Sequence, residues 1–209
     1  MKYTATRNQA LNGLKQAEAK VQSAIQQQKK GQAISKDVQQ VLKIFFPKQD
    51  ESFLPILLKR IQLVKKNVIP HVRLKTISKP DKNDPDKALH KYAIKKKVPA
   101  AALPQRRYVA IYNPHWANHK PYQPGILIHE AFHYYFSFVR GHSKTNRRTN
   151  AFAYQGFVST LGGLPIGETL KGNLGLITNK QIVEVCNTYV APILPFGNEI
   201  CKQVKRALD

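Results

Sequence analysis

In this chain of 209 residues, His129, Glu130 and His133 have the clearest capacity for chemistry. They stand in the segment Gly125-Ile-Leu-Ile-His129-Glu130-Ala-Phe-His133-Tyr-Tyr-Phe136. On a helix, residues four apart lie one turn above each other on one face, so both imidazoles can share one metal ion. Imidazole nitrogen suits zinc, which lowers the pKa of a coordinated water to about 7. Glu130 projects beside the histidine face, where it can take the proton of that water as a general base. Ile126, Leu127 and Ile128 precede the trio, and Phe132, Phe136 and Phe138 surround or follow it. Two histidines and a carboxylate buried in so apolar a helix are costly unless they are paired or hold a metal.

Two histidines do not complete a zinc site. No Asp or Glu occurs between Glu130 and Glu168. By ligand chemistry His142 ranks first, provided the chain beyond Gly141 folds back toward His133. The alternatives are Asn150, Tyr154, Gln155 and Glu168. An antiparallel helix starting near Asn150 regains the level of the metal around Tyr154 and Gln155, at a rise of ~1.5 Å per residue. Asn150 is also a good helix N-cap, and Glu168 would reach in from a loop.

These residues need elements to position them. Apolar spacing predicts a helix over 5–30, marked by Leu11, Leu14, Val21 and Ile25 and stopped by Gly31. A second helix is capped by Ser35, carries Val38, Leu42 and Phe45 on one face, and ends at Pro47. The clearest amphipathic helix of this half spans 52–68, with Leu54, Leu57, Leu58, Ile61 and Val64 in register. Val72, Leu74 and Thr76 alternate as in a strand, 80–86 reads as a loop, and Tyr92 and Ile94 read as a short strand. Tyr108–Tyr112 is the best strand and the expected edge of the cleft. The loop 113–124 brings His115, Trp116 and His119 toward that cleft. Pro124 and Gly125 open the metal-site helix, expected to run to about Arg140 with Gly141 as its cap. Further helices are expected from Asn150 to Leu161, over 179–190 and over 198–208. The fold class is α+β, mostly helical with a small sheet. Residues 1–70 read as an N-terminal helical region and 71–209 as the catalytic domain, or the two as one continuous domain.

The chain carries 34 Lys and Arg against 12 Asp and Glu. Such a field favours polyanions: nucleic acid bound without sequence preference, anionic surfaces, or acidic proteins. No apolar run reaches the ~18 residues of a membrane-spanning helix. The first residues lack a signal peptide's apolar core, so the protein is expected to stay in the cytoplasm or to leave by a machinery that reads no cleavable signal. Cys186 and Cys201 stand either as buried thiols or as a pair.

An HExxH helix after an upstream strand resembles the zincin metallopeptidases. The segment Arg148-Thr-Asn150-Ala-Phe-Ala-Tyr154-Gln155-Gly156-Phe157-Val158 is similar to a downstream helix of the aspzincin group, which includes deuterolysin and the peptidyl-Lys metalloendopeptidases. The resemblance covers about residues 105–160. It implies a zinc cofactor, hydrolysis of a protein or peptide substrate, and Tyr154 as a hydrogen-bond donor to the oxyanion. Related domains occur in secreted bacterial toxins, which implies an effector role and an acidic immunity or inhibitor partner. Aspzincins use an Asp on or before the second helix as third ligand. Here that position falls on Asn150, Ala151 or Phe152. The run Tyr134-Tyr135-Phe136-Ser137-Phe138 is similar to SprT-like proteases that act on DNA-bound proteins. Other readings are a degenerate zincin kept as a binding module, and a peptidoglycan amide hydrolase.

Overall fold

The computed structural model describes residues 3–139, 142–143 and 145–176, together with 198, 202 and 203. The helices expected over 179–190 and 198–208, and both cysteines, fall outside the described residues, apart from those three positions. The chain divides into two compact units, Met1–Ile166 and Gly167–Asp209. The second contributes one described helix, Glu168–Asn173.

The elements in chain order are α1 (Thr4–Lys29), α2 (Lys36–Phe45), α3 (Leu54–Asn67), β1 (Arg73–Ile77), α4 (Lys87–Lys95), β2 (Ala100–Leu103), β3 (Tyr108–Tyr112), α5 (His115–Asn118), α6 (Gln123–Tyr135), α7 (Ala151–Leu161) and α8 (Glu168–Asn173). This is the α+β class expected from the sequence, with most residues in helices and one three-stranded sheet.

The helices of the first unit gather around α1, which meets α3, α6 and α7. Its buried stripe is Ala10, Gly13, Leu14, Ala17, Val21 and Ala24. Of the four residues that apolar spacing marks, Leu14 and Val21 lie in this stripe, while Leu11 and Ile25 are only half-buried. Small residues win the buried face because they let two helix backbones come close. At Gly162, just past α7, an added Cβ would lie 2.3 Å from the Gly13 carbonyl oxygen. At Gly156 it would lie 2.0 Å from the buried Phe45 ring. Gly162→Ala should therefore destabilise the fold by about 1–3 kcal/mol, since backbone cannot move aside as a side-chain tip can. A lower urea midpoint with an unchanged m-value would show this; an unchanged midpoint would mean that the helices separate freely.

The sheet order is β1-β3-β2. β3 is central and buried along its whole length, parallel to β1 and antiparallel to β2. Tyr108, Ala110 and Tyr112 share one face with Ile77, Leu103 and Ala93 of α4. The expected strand at Tyr92 and Ile94 is in fact part of α4. Its face is set by buried His90 and Ala93, three apart, while Tyr92 points outward. The helix wins because His90 finds two phenol partners across the sheet: its Nδ1 is 2.9 Å from the Tyr112 hydroxyl and its Nε2 is 3.3 Å from that of Tyr108. Tyr108–Tyr112, the strand expected to edge the cleft, is the central strand, and the outer strand β2 is one that sequence patterning missed. Ala100–Leu103 has three alanines and no alternation, so nothing local marks it as a strand.

Candidate metal centre

α6 supplies the first two groups. It begins at Gln123 with Pro124 in its first turn, where the missing N–H costs nothing. Ile128, His129, Glu130, Ala131 and Phe132 are all buried. The helix does not continue to Arg140. It stops at Tyr135, and Phe136 takes extended dihedrals (φ −105°, ψ 106°). The returning chain brings the Val139 carbonyl onto Nδ1 of His133. That bond cannot form while 136–139 stays helical, because helical carbonyls point along the axis to their own chain. The early stop also decides the third group. Nine helical residues would carry His142 roughly 13 Å along the axis from His133. Instead the loop places it beside both histidines.

The Nε2 atoms of His129, His133 and His142 form a nearly equilateral triangle: 3.1 Å from His133 to His129, 3.1 Å from His133 to His142, and 3.2 Å from His142 to His129. Three imidazole nitrogens bound to one tetrahedral zinc at ~2.0–2.1 Å lie roughly 3.3–3.4 Å apart, so the triangle fits such an ion closely. Burial falls from His129 through His133 to His142, which is exposed. The triangle therefore opens to solvent on one side. The Phe152 ring packs on His129 and His142, with centroids at 4.4 and 4.6 Å, and forms one wall.

Burial holds all three rings below the ordinary imidazole pKa, most strongly at His129, where His133 and His142 add repulsion. Neutral rings are the metal-binding form. The ring orientations suit this too. The Val139 carbonyl accepts a hydrogen bond from the Nδ1–H of His133, which leaves Nε2 free to bind a metal. Gln155 lies against His129 and favours its protonated ring, although no bond of normal geometry reaches the buried Nδ1.

Glu130 is buried beside the triangle. Its Oε2 accepts a 2.6 Å hydrogen bond from the Ala102 N–H of β2, and its Oε1 is 4.0 Å from Nε2 of His129. Burial pushes its pKa up to about 8, against the smaller downward pull of the Ala102 N–H. The missed strand thus holds the one carboxylate at the site among the described residues.

Asn150, Tyr154, His115, Trp116 and His119, also singled out by sequence, engage other partners. Asn150 is fully buried and caps α7, its Oδ1 accepting from the Phe152 N–H at 2.9 Å. Tyr154 stacks on Phe132 at 4.5 Å. Its hydroxyl accepts from Arg60 and donates to the Arg148 carbonyl at 2.8 Å, so both of its hydrogen-bonding functions are engaged. Glu168 opens α8 in the second unit. His115 and His119 bond to the carbonyls of Ile94 and His115, and Trp116 is buried against Tyr3. A second cluster, Asp84, Asp86 and His90, has the composition of a metal site. Its carboxylates, however, lie against Lys75 and Arg106, and both His90 nitrogens face phenols. This is an ion-pair network with its charges already matched.

Among the described residues, no helix is long and apolar enough to cross a membrane. No protein-family model, curated protein or solved structure matches the chain closely enough to establish a relationship.

Proposed function

We propose that this chain is a zinc-dependent endopeptidase, with His129, His133 and His142 as the protein ligands and Glu130 as general base. The observation that carries the reading is the convergence of three Nε2 atoms at 3.1–3.2 Å beside a buried carboxylate. Three histidines with an open fourth position make a catalytic rather than a structural zinc set. Zinc bound there supplies Lewis acidity toward an amide carbonyl and an acidified water.

The residues of the chain divide the remaining work. The Ala102 N–H holds one oxygen of Glu130 and leaves the other turned toward the histidines. That oxygen accepts a proton as the carbonyl is attacked and returns it to the leaving amine. The edge of β2 supports a peptide substrate. Ala102 turns its N–H away from β3, so by the two-residue period the N–H and C=O of Ala100 face the same way. An extended peptide can add to this edge and run past Glu130. The excess of basic residues favours acidic substrates or an acidic inhibitor protein. An oxyanion role for Tyr154 requires its hydroxyl to leave the Arg148 carbonyl.

The direct test is incubation of the zinc-loaded protein with reduced, unfolded casein, reading new N-termini by mass spectrometry. Cleavage that a chelator abolishes and zinc restores is the expected result. If zinc is bound but casein, a peptide library and cross-linked peptidoglycan all stay intact, the site belongs to a binding module.

A further inference from the structure

The third ligand comes from a loop, and a loop side chain needs something to hold it. Ser143, next to His142, offers its backbone carbonyl to the Nδ2 of Asn150 at 2.8 Å. The Oδ1 of the same carboxamide accepts from the Phe152 N–H. Asn150 is fully buried, and both ends of its amide are satisfied. Phe152, whose N–H is capped, is the residue whose ring packs on His129 and His142. One carboxamide therefore ties the start of α7 to the backbone next to His142.

We propose that Asn150 is the positioning residue for the third metal ligand, holding the loop so that His142 completes the triangle with His129 and His133. The proposal rests on the metal reading above, with Asn150 acting only through His142. The geometry requires both functions of the amide. Serine caps helices about as well as asparagine but is too short to reach the Ser143 carbonyl. Asn150→Ser should therefore keep α7 capped and release the loop.

The experiment is a double-mutant cycle on zinc affinity, measured by competition with a chromogenic chelator for wild type, Asn150→Ser, His142→Ala and the double variant. Asn150→Ser should weaken zinc binding on the order of tenfold, as loss of an outer-shell partner does. In the His142→Ala background the same change should do nothing further. Thermal melting in EDTA should be nearly the same for wild type and Asn150→Ser. Full zinc affinity in Asn150→Ser overturns the proposal. So does an equal loss in both backgrounds, which would mean that Asn150 acts through the helix rather than through His142. If Asn150→Ser melts early, Asn150→Thr, which also caps a helix but cannot reach the Ser143 carbonyl, serves as a second variant under the same criterion. Failure of the wild type itself to bind zinc would sink the metal reading and is distinguishable from all of these.

Discussion

His133→Ala should strip the protein of its metal. Purified wild type, loaded with zinc and dialysed, is expected to keep about one equivalent per chain, and the variant close to none. His133 is a corner of the triangle, and its Nδ1 also holds the Val139 carbonyl at the point where the chain turns back. The substitution removes a ligand and loosens the turn that leads to His142. Protein zinc sites are worth ~10–16 kcal/mol, so one of three ligands carries several kcal/mol and its loss costs about a thousandfold in affinity. Equal zinc contents in the two proteins would show that the triangle is not the site. The Asp84, Asp86 and His90 cluster would then need to be tested in its place.

Glu130→Gln should separate binding from chemistry. The three histidines are untouched, so zinc content should match wild type, while peptide hydrolysis falls by about a thousandfold or more. Removing a general base costs roughly 10²–10⁴. Loss of both zinc and activity would make Glu130 a structural partner of the site. A second, opposite effect is expected in metal-free protein. The Glu130 pKa is raised from its ordinary 4.5 to about 8 in the fold. Between those values the unfolded chain has released the proton and the folded chain still holds it. Rising pH therefore favours unfolding, by up to about 1.4 kcal/mol per pH unit across that window. Glutamine has no such proton. In EDTA, Glu130→Gln should melt above wild type at pH 8, and the gap should close as pH falls toward 4.5. A gap that stays constant with pH would mean that the carboxyl is not desolvated as its burial indicates. A site that costs stability when empty is common where groups are held for chemistry.

Much of this was legible in the sequence because it depends on local spacing. The i, i+4 placement of His129 and His133 is a property of any helix, and the apolar run around them can only be a helix turned inward. Val38, Leu42 and Phe45 of α2, the strand Tyr108–Tyr112 and the Asn150 cap of α7 follow from the same local rules. Ligand chemistry alone ranked His142 first, and the structure groups it with the other two histidines.

What the tertiary structure decided lies in non-local pairings. α6 stops at Tyr135 because the Val139 carbonyl and His133 meet across a turn that no propensity announces. α4 is a helix because His90 is answered by Tyr108 and Tyr112 from β3. Ala100–Leu103 is a strand only because β3 offers it a ladder, and its Ala102 N–H finds Glu130, 28 residues further on. The sequence by itself determined which atoms were capable of binding a metal, since that follows from residue type and helical pitch. Only the folded chain decided which of them meet, because closing a loop costs entropy that is offset only by contacts made far along the chain.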